Sequence, residues 1–157
     1  AGTTVMSLVR QLPNQHYTIV TSGANIAIEL SQRSRSTVSC VGGQISSSTL
    51  SLSGPQAEAF LATVNIDTAV LAATGYSAGA GFTVGSYTEN SLKRRVIQKA
   101  DKVILLIDRS KLGRTLPFTF ASLSDIDVVI CDAPLPEDFI QAARAAGTEV
   151  LQVQPAK

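Results

Sequence analysis

The chain has 157 residues, of which 45% are hydrophobic and 16% charged, and its net charge is +1 at pH 7. That length predicts one domain, 1–157, able to bury most of its own apolar surface, and so neutral a balance excludes an electrostatic footprint for nucleic acid or anionic lipid within this segment. No apolar run approaches the roughly 20 residues of a spanning helix, and no basic segment leads into an apolar core as in a secretory leader, so a cytoplasmic chain is expected.

Ala1-Gly2-Thr3-Thr4 opens on a helical pattern in which Val5, Leu8, Val9 and Leu12 recur. A small, hydroxyl-bearing loop at a helix N-terminus suits anions, because the first N–H groups have no intrahelical partner. Thr3 or Thr4 acting as a simple cap is the alternative. Such a loop normally follows a strand, so a strand upstream of residue 1 is expected. His16 lies in the polar stretch Pro13-Asn14-Gln15-His16 and reads as a solvated loop residue. Tyr17 to Val20 is a short strand, followed by Thr21-Ser22-Gly23-Ala24-Asn25 and by a second helix with Ile26, Ala27 and Leu30 on its apolar face. This loop is a second candidate cradle for phosphate or hydroxyl groups. Thr37 to Val41 is a strand ending in Gly42-Gly43, where missing side chains permit positive φ or close approach by a ligand or another backbone. Turn geometry alone can demand the same two glycines.

The serine-rich stretch 46–53, with Leu50 and Leu52 alternating, predicts an exposed or edge strand. Gly54-Pro55 then starts a helix, proline being favoured at the first helical position, and Ala57, Phe60, Leu61 and Val64 form its buried side. Asp67 to Ala73 reads as a buried strand. The following stretch, 74–83, has three glycines in seven residues, the composition of a flexible loop that orders over a ligand. Neither GxGxxG nor Gly-Lys-Ser/Thr spacing is present in it. Ser86 and Glu89 have the spacing of a capping box, and Leu92, Val96, Ile97 and Ala100 form the stripe of the helix they open. Lys93 stands four residues after Glu89, so it is either half of a surface ion pair or a cation reaching an anionic ligand. Arg94, Arg95 and Lys99 read as the solvated face.

Val103 to Ile107 is a run of five apolar residues that predicts a strand buried on both faces. It ends in Asp108-Arg109-Ser110-Lys111, so a carboxylate, a hydroxyl and an ammonium emerge at the C-terminal end of a buried strand, where open α/β sheets bind ligands. Asp108 and Lys111 are therefore candidates for reading hydroxyls and charge from one wall of a shared pocket, or else a local pair that closes a turn. Residues 117–120 form an excursion or a short extra strand. Ile126 to Ile130 is another buried strand, running into Cys131-Asp132. Pro136 starts a helix with Glu137 and Asp138 in its first turn, Gly147 ends it, and Thr148 to Val153 is the last strand. Cys40 and Cys131 both lie in apolar strand-like runs and read as small buried hydrophobes. Without CxxC spacing they support neither a disulfide framework nor a metal site.

Alternating strands and helices predict an α/β fold, an open parallel sheet with helices on both faces and right-handed crossovers. The loops at the strand ends offer hydroxyls, glycines and backbone N–H groups with few charges. That chemistry suits a phosphorylated polyol.

The order of GTT at 2–4, TSGANIA at 21–27, VGG at 41–43, LSGPQAE at 52–58, GFT at 81–83, ENSLKR at 89–94, DRSKLG at 108–113 and DIDVVICD at 125–132 resembles the C-terminal sensor domain of the DeoR-type bacterial transcription regulators. The resemblance covers essentially the whole chain. It implies a fold related to ribose-5-phosphate isomerase and the CoA transferases, no catalysis and no cofactor or metal. It also implies a sugar-phosphate effector site using Gly2, Thr3, Thr4, Thr21, Ser22, Gly23, Asn25, Gly42, Gly43, Gly75, Lys93, Asp108 and Lys111. DNA contact would belong to a helix-turn-helix module preceding the sensor, absent from this chain, in a homo-oligomeric regulator. Three departures stand out: the family's Asp-Ser-Gly-Thr-Thr is here only Ala1-Gly2-Thr3-Thr4, its Thr-Asn-Ser is Thr21-Ser22-Gly23, and Leu112 replaces a commoner Phe.

Two enzymatic readings compete. An isomerase would use Asp108 and Lys111, or Glu89 and Lys93, as carboxylate base and enediolate-stabilising cation, but acidic residues are sparse in the glycine stretch. A CoA transferase would need a glutamate nucleophile, and Glu89 is better explained as a cap.

Overall fold

In the computed structural model, which describes residues 2–33 and 35–153, strands alternate with helices in two units, residues 1–64 and 65–157. In the first unit the elements are α1 (Thr3–Gln11), β1 (Thr18–Thr21), α2 (Ala24–Arg33), β2 (Thr37–Cys40), β3 (Gln44–Ile45), β4 (Leu52–Ser53) and α3 (Pro55–Ala62). β1 and β2 are parallel, with Thr18 opposite Thr37 and Thr21 opposite Cys40. α2 buries Ile26 and Leu30, the apolar face its spacing predicts. On its outer side Glu29 receives Arg33 at 3.0 Å and Arg10 of α1 at 3.4 Å.

Three expectations for this unit are corrected. Residues 46–53 do not form one strand: only Leu52–Ser53 does, pairing antiparallel with Gln44–Ile45. Leu50 has φ 54° and so turns the chain, its N–H donating to the Ser46 carbonyl at 2.8 Å. A β-branched or extended run cannot continue through a left-handed residue. Cys40 is exposed rather than buried, because it ends a strand that is bonded only to β1 among the described residues. Neither Thr3 nor Thr4 caps α1; the N-cap position belongs to Gly2, with no side-chain cap bond.

The second unit contains β5 (Ile66–Ala72), β6 (Gly75–Ser77), β7 (Gly81–Val84), α4 (Tyr87–Lys99), β8 (Ala100–Ile107), a 3-10 turn (Arg109–Lys111), β9 (Phe118–Ala121), β10 (Val128–Cys131), α5 (Glu137–Ala146) and β11 (Glu149–Gln152). Four of these strands make a parallel sheet flanked by helices, in the order β11-β10-β8-β5. The run Val103 to Ile107 thus lies between two neighbours, and it begins earlier than its apolar pattern because Ala100, Asp101 and Lys102 also extend. Val103, Leu105, Ile107, Val129 and Cys131 pack with Tyr76, Phe82, Phe120 and Phe139 into the core of this unit. Each such large apolar side chain contributes about 1.5–3 kcal/mol relative to exposure.

The stretch 74–83 is not a flexible loop. It forms the antiparallel hairpin β6–β7, which β9 extends to a three-stranded sheet. Phe82, Thr83 and Val84 are fully buried, and the glycines serve close packing of the chain on itself. Gly81 has φ 76° and lies against the Ala121 carbonyl. Among the described residues, no helix is long and apolar enough to cross a membrane.

Candidate functional site

Because β5, β8 and β10 run parallel, their C-terminal ends share one edge of the second unit's sheet. The register puts Ala72 opposite Leu106 and Ile107 opposite Cys131. Asp108 follows directly on the central strand. Its Oδ1 accepts from the Ser110 amide at 2.9 Å and from the Ser110 hydroxyl, capping the 3-10 turn. Lys111 Nζ lies 3.8 Å from Asp108 Oδ2. The turn-closing geometry is therefore present, while both side chains remain about 30% exposed and can meet a solute.

Lys93 reaches the same edge from α4. Its ammonium donates to the carbonyl of Ala72, the last residue of β5, lies 3.3 Å from Glu89 Oε1 and faces the Phe120 ring at 5.1 Å. With 15% of its side chain exposed, this is not the surface ion pair that i,i+4 spacing alone suggests. Burial pulls the Lys93 ammonium below its ordinary value, and the Glu89 carboxylate opposes that shift. α4 is held in place by Ser86, whose hydroxyl accepts from the Glu89 amide, and by Asn90, whose amide donates to the Thr119 carbonyl of β9 at 3.0 Å. Sequence reasoning gave Glu89 a capping part and a surface ion pair with Lys93, and left Asn90 unassigned. The one signal for Asn90 was its place seven residues before Ile97, at the border of the apolar stripe.

Gly75 begins β6, and its neighbours are its own chain: an added Cβ would come 2.5 Å from the Arg114 carbonyl oxygen and 3.0 Å from Thr83 Oγ1. Asp132 follows β10 as Asp108 follows β8, so the register sets it at the adjoining position of the edge.

In the first unit, the ends of β1 and β2 likewise share an edge. Thr21 to Asn25 follows one strand, and Gly42 and Gly43 follow the other. Thr21 Oγ1 accepts from the Gly23 amide at 3.0 Å, folding the loop tightly into α2. The short hairpin then laces onto it: Leu52 N–H donates to the Ser22 carbonyl at 2.6 Å, and Ala24 N–H to the Leu50 carbonyl at 2.9 Å. Asn25 Oδ1 is buried and has no hydrogen-bond partner among the described residues. Gly42 has φ 78° with open space where a Cβ would be, whereas a Cβ on Gly43 would overlap the Ser53 carbonyl. Turn geometry and backbone packing account for Gly43; at Gly42 only the positive φ asks for glycine. Gly2 and Thr3 are exposed at the start of α1 and Thr4 is half-buried. Among the described residues, no group of three or more His, Cys, Asp or Glu could hold a metal ion.

A family model described as the DeoR C terminal sensor domain matches residues 1–133. The chain is 36% identical over 152 residues to the HTH-type transcriptional regulator GlpR of Haloferax volcanii, covering 96% of this chain and 59% of that protein. It is 31% identical over 157 residues to the uncharacterized HTH-type transcriptional regulator YulB of Bacillus subtilis, covering 100% and 61%. To the HTH-type transcriptional repressor GlcR of the same organism it is 30% identical over 151 residues, covering 96% and 58%. The chain thus spans about three fifths of the length of these relatives. All three are named as regulators and the matched family is a sensor, so the isomerase and CoA-transferase alternatives fall away and the chain is not an enzyme. The chain belongs to the family of DeoR C-terminal sensor domains.

Proposed function

We propose that residues 1–157 form the effector-binding domain of a sugar-responsive cytoplasmic transcription regulator, with a phosphorylated sugar as the effector. Lys93 carries this reading. A largely buried ammonium at the C-terminal edge of a parallel sheet, the edge that also carries the partly exposed Asp108 and Lys111, is charge held ready for an anionic solute. Lys93 and Lys111 supply cations and Asp108 a hydroxyl acceptor, with Gly75 shaping the adjacent strand. Gly2, Thr3 and Thr4, with Thr21, Ser22, Gly23, Asn25, Gly42 and Gly43, supply amide and hydroxyl donors of the kind a phosphate takes. The unpaired Asn25 oxygen adds an acceptor for a sugar hydroxyl.

The relatives' helix-turn-helix names support delegating DNA contact to a module elsewhere in the polypeptide. Effector binding then biases a homo-oligomer between arrangements that differ in operator affinity. The test is a thermal-shift and calorimetric screen of hexose and pentose phosphates, unphosphorylated sugars and inorganic phosphate. Stabilisation by at least one sugar phosphate is expected, together with release of operator DNA by the full-length regulator. No response to any of them at millimolar concentration overturns the reading.

A further inference from the structure

Among the described residues, Ala72, Phe120 and Glu89 hold the Lys93 ammonium, and of these Glu89 is the charged one. The Ala72 carbonyl and the Phe120 ring fix where the ammonium lies, and Glu89, one turn earlier on α4, brings a carboxylate to 3.3 Å. Glu89 is itself held: its amide donates to Ser86 at the helix start, and Asn90 beside it is bonded to the Thr119 carbonyl. A helix cap requires only the Glu89 backbone, so the placement of its carboxylate on Lys93 is a separate feature. Resting on the sugar-phosphate reading above, we infer that Glu89 is a positioning residue for effector binding, keeping the Lys93 ammonium charged and aimed at the sheet edge.

Without a counter-charge, an ammonium this buried gives up its proton more readily, since desolvation penalises the charged form. Asp108 and Lys111, at the same sheet edge, lie 3.8 Å from each other. α4 packs on β5, β7, β8 and β9, and of these β7 and β9 carry no titratable side chain. Asp67 of β5 and Asp101 and Lys102 of β8 stand near the N-terminal ends of their strands, away from Ala72. On α4 itself, Arg94 and Arg95 are exposed and Lys99 lies at the far end. Glu89 is the charged group whose field opposes the burial of Lys93. An anion-binding lysine that must stay protonated through the working pH range therefore depends on it.

The experiment compares the wild type, Glu89→Gln and Glu89→Asp in two ways. Trace acetylation across pH, read by peptide mass spectrometry, reports the protonation of Lys93 whether or not any effector is present. Calorimetry with ribose 5-phosphate, glucose 6-phosphate and fructose 6-phosphate across the same pH range reports binding. In Glu89→Gln, Lys93 should become reactive about one pH unit lower, a tenfold change in its neutral-to-charged ratio, and sugar-phosphate affinity should fall off with rising pH at correspondingly lower pH. Glu89→Asp should stay near the wild type, which separates charge from packing. An unchanged labelling profile in a folded Glu89→Gln protein overturns the inference. A shifted labelling profile with an unshifted binding profile overturns Glu89's part in binding and leaves the sugar-phosphate reading standing. If the wild type binds neither these three nor any other hexose or pentose phosphate of the screen above, that reading and Glu89's part in binding fall together, and the labelling arm still shows whether Glu89 holds the charge.

Discussion

Gly75 lies directly against the backbone of Arg114: a Cβ would stand 2.5 Å from the Arg114 carbonyl oxygen and 2.7 Å from Leu116 Cδ1. A backbone oxygen cannot swing aside like a side-chain tip, so Gly75→Ala must displace the 114–116 segment from β6. We expect a loss of about 1–3 kcal/mol, read as a lower urea midpoint. Gly79, two residues beyond β6, has open space around it, and Gly79→Ala should stay within about 0.5 kcal/mol of the wild type. Equal midpoints for the two variants would refute the packing account.

Gly42 and Gly43 differ in the same way. Both have positive φ, but only Gly43 abuts another strand, at the Ser53 carbonyl. Gly42→Ala should cost about 1–2 kcal/mol for the left-handed conformation. Gly43→Ala should cost more, because the β3–β4 hairpin has to move as well. Thermal unfolding of the pair checks the order, and a less stable Gly42→Ala protein would contradict it.

Asp108 separates turn from binding. Its carboxylate oxygen caps the 3-10 turn through Ser110, and an asparagine oxygen can do the same. Asp108→Asn should therefore unfold within about 0.5 kcal/mol of the wild type, while Asp108→Ala loses about 0.5–2 kcal/mol. In calorimetry with the best sugar phosphate, Asp108→Asn should bind about tenfold more weakly, the scale of one charged hydrogen bond. Undiminished binding by a stable Asp108→Asn protein would confine Asp108 to the turn.

Glu29 predicts an acid limb. The Arg33 hydrogen bond, helped by Arg10, holds its carboxyl below the ordinary 4.5. For a carboxyl depressed on folding, the stabilisation is complete above the unfolded value and is lost as pH falls through the folded one. Glu29→Gln should thus narrow the stability difference from the wild type as pH drops below about 4.5, with the gap largest near neutrality and smaller in high salt. A gap independent of pH would show that the ion pair contributes nothing.

Much of the architecture was legible because local pattern and tertiary fate coincide. Val103 to Ile107 is apolar on both faces and becomes the central strand, while Pro55, Ser86 and Gly147 mark helix ends where the structure has them. Reading failed where long-range pairing decided the outcome. Composition made 74–83 look flexible, yet β9, more than thirty residues later in the chain, locks it into a sheet. The exposure of Cys40 follows from which strand pairs with β2, and no residue near Cys40 carries that information. At the candidate site, strand-end position marked Asp108 and Lys111, and the helix after the glycine stretch offered Lys93, but i,i+4 spacing could not tell a solvated Glu89–Lys93 pair from a buried one. That depended on Phe120 and Ala72, both remote in sequence.

The central strand β8 draws its hydrogen-bonded neighbours from opposite sides of its own place in the chain, β5 before it and β10 after it. During synthesis β5, the β6–β7 hairpin and α4 are complete when β8 emerges, so one flank can zip at once. The other flank waits for the 24 residues from 108 to 131, about 1–5 s at ordinary translation rates. Throughout that interval a growing chain carries an open, strongly apolar strand edge, the kind of surface that invites aggregation. A chain paused with residue 113 just clear of the ribosome would be held in that state, which makes the DRSK turn a temporal boundary in the birth of the domain as well as a wall of its candidate site.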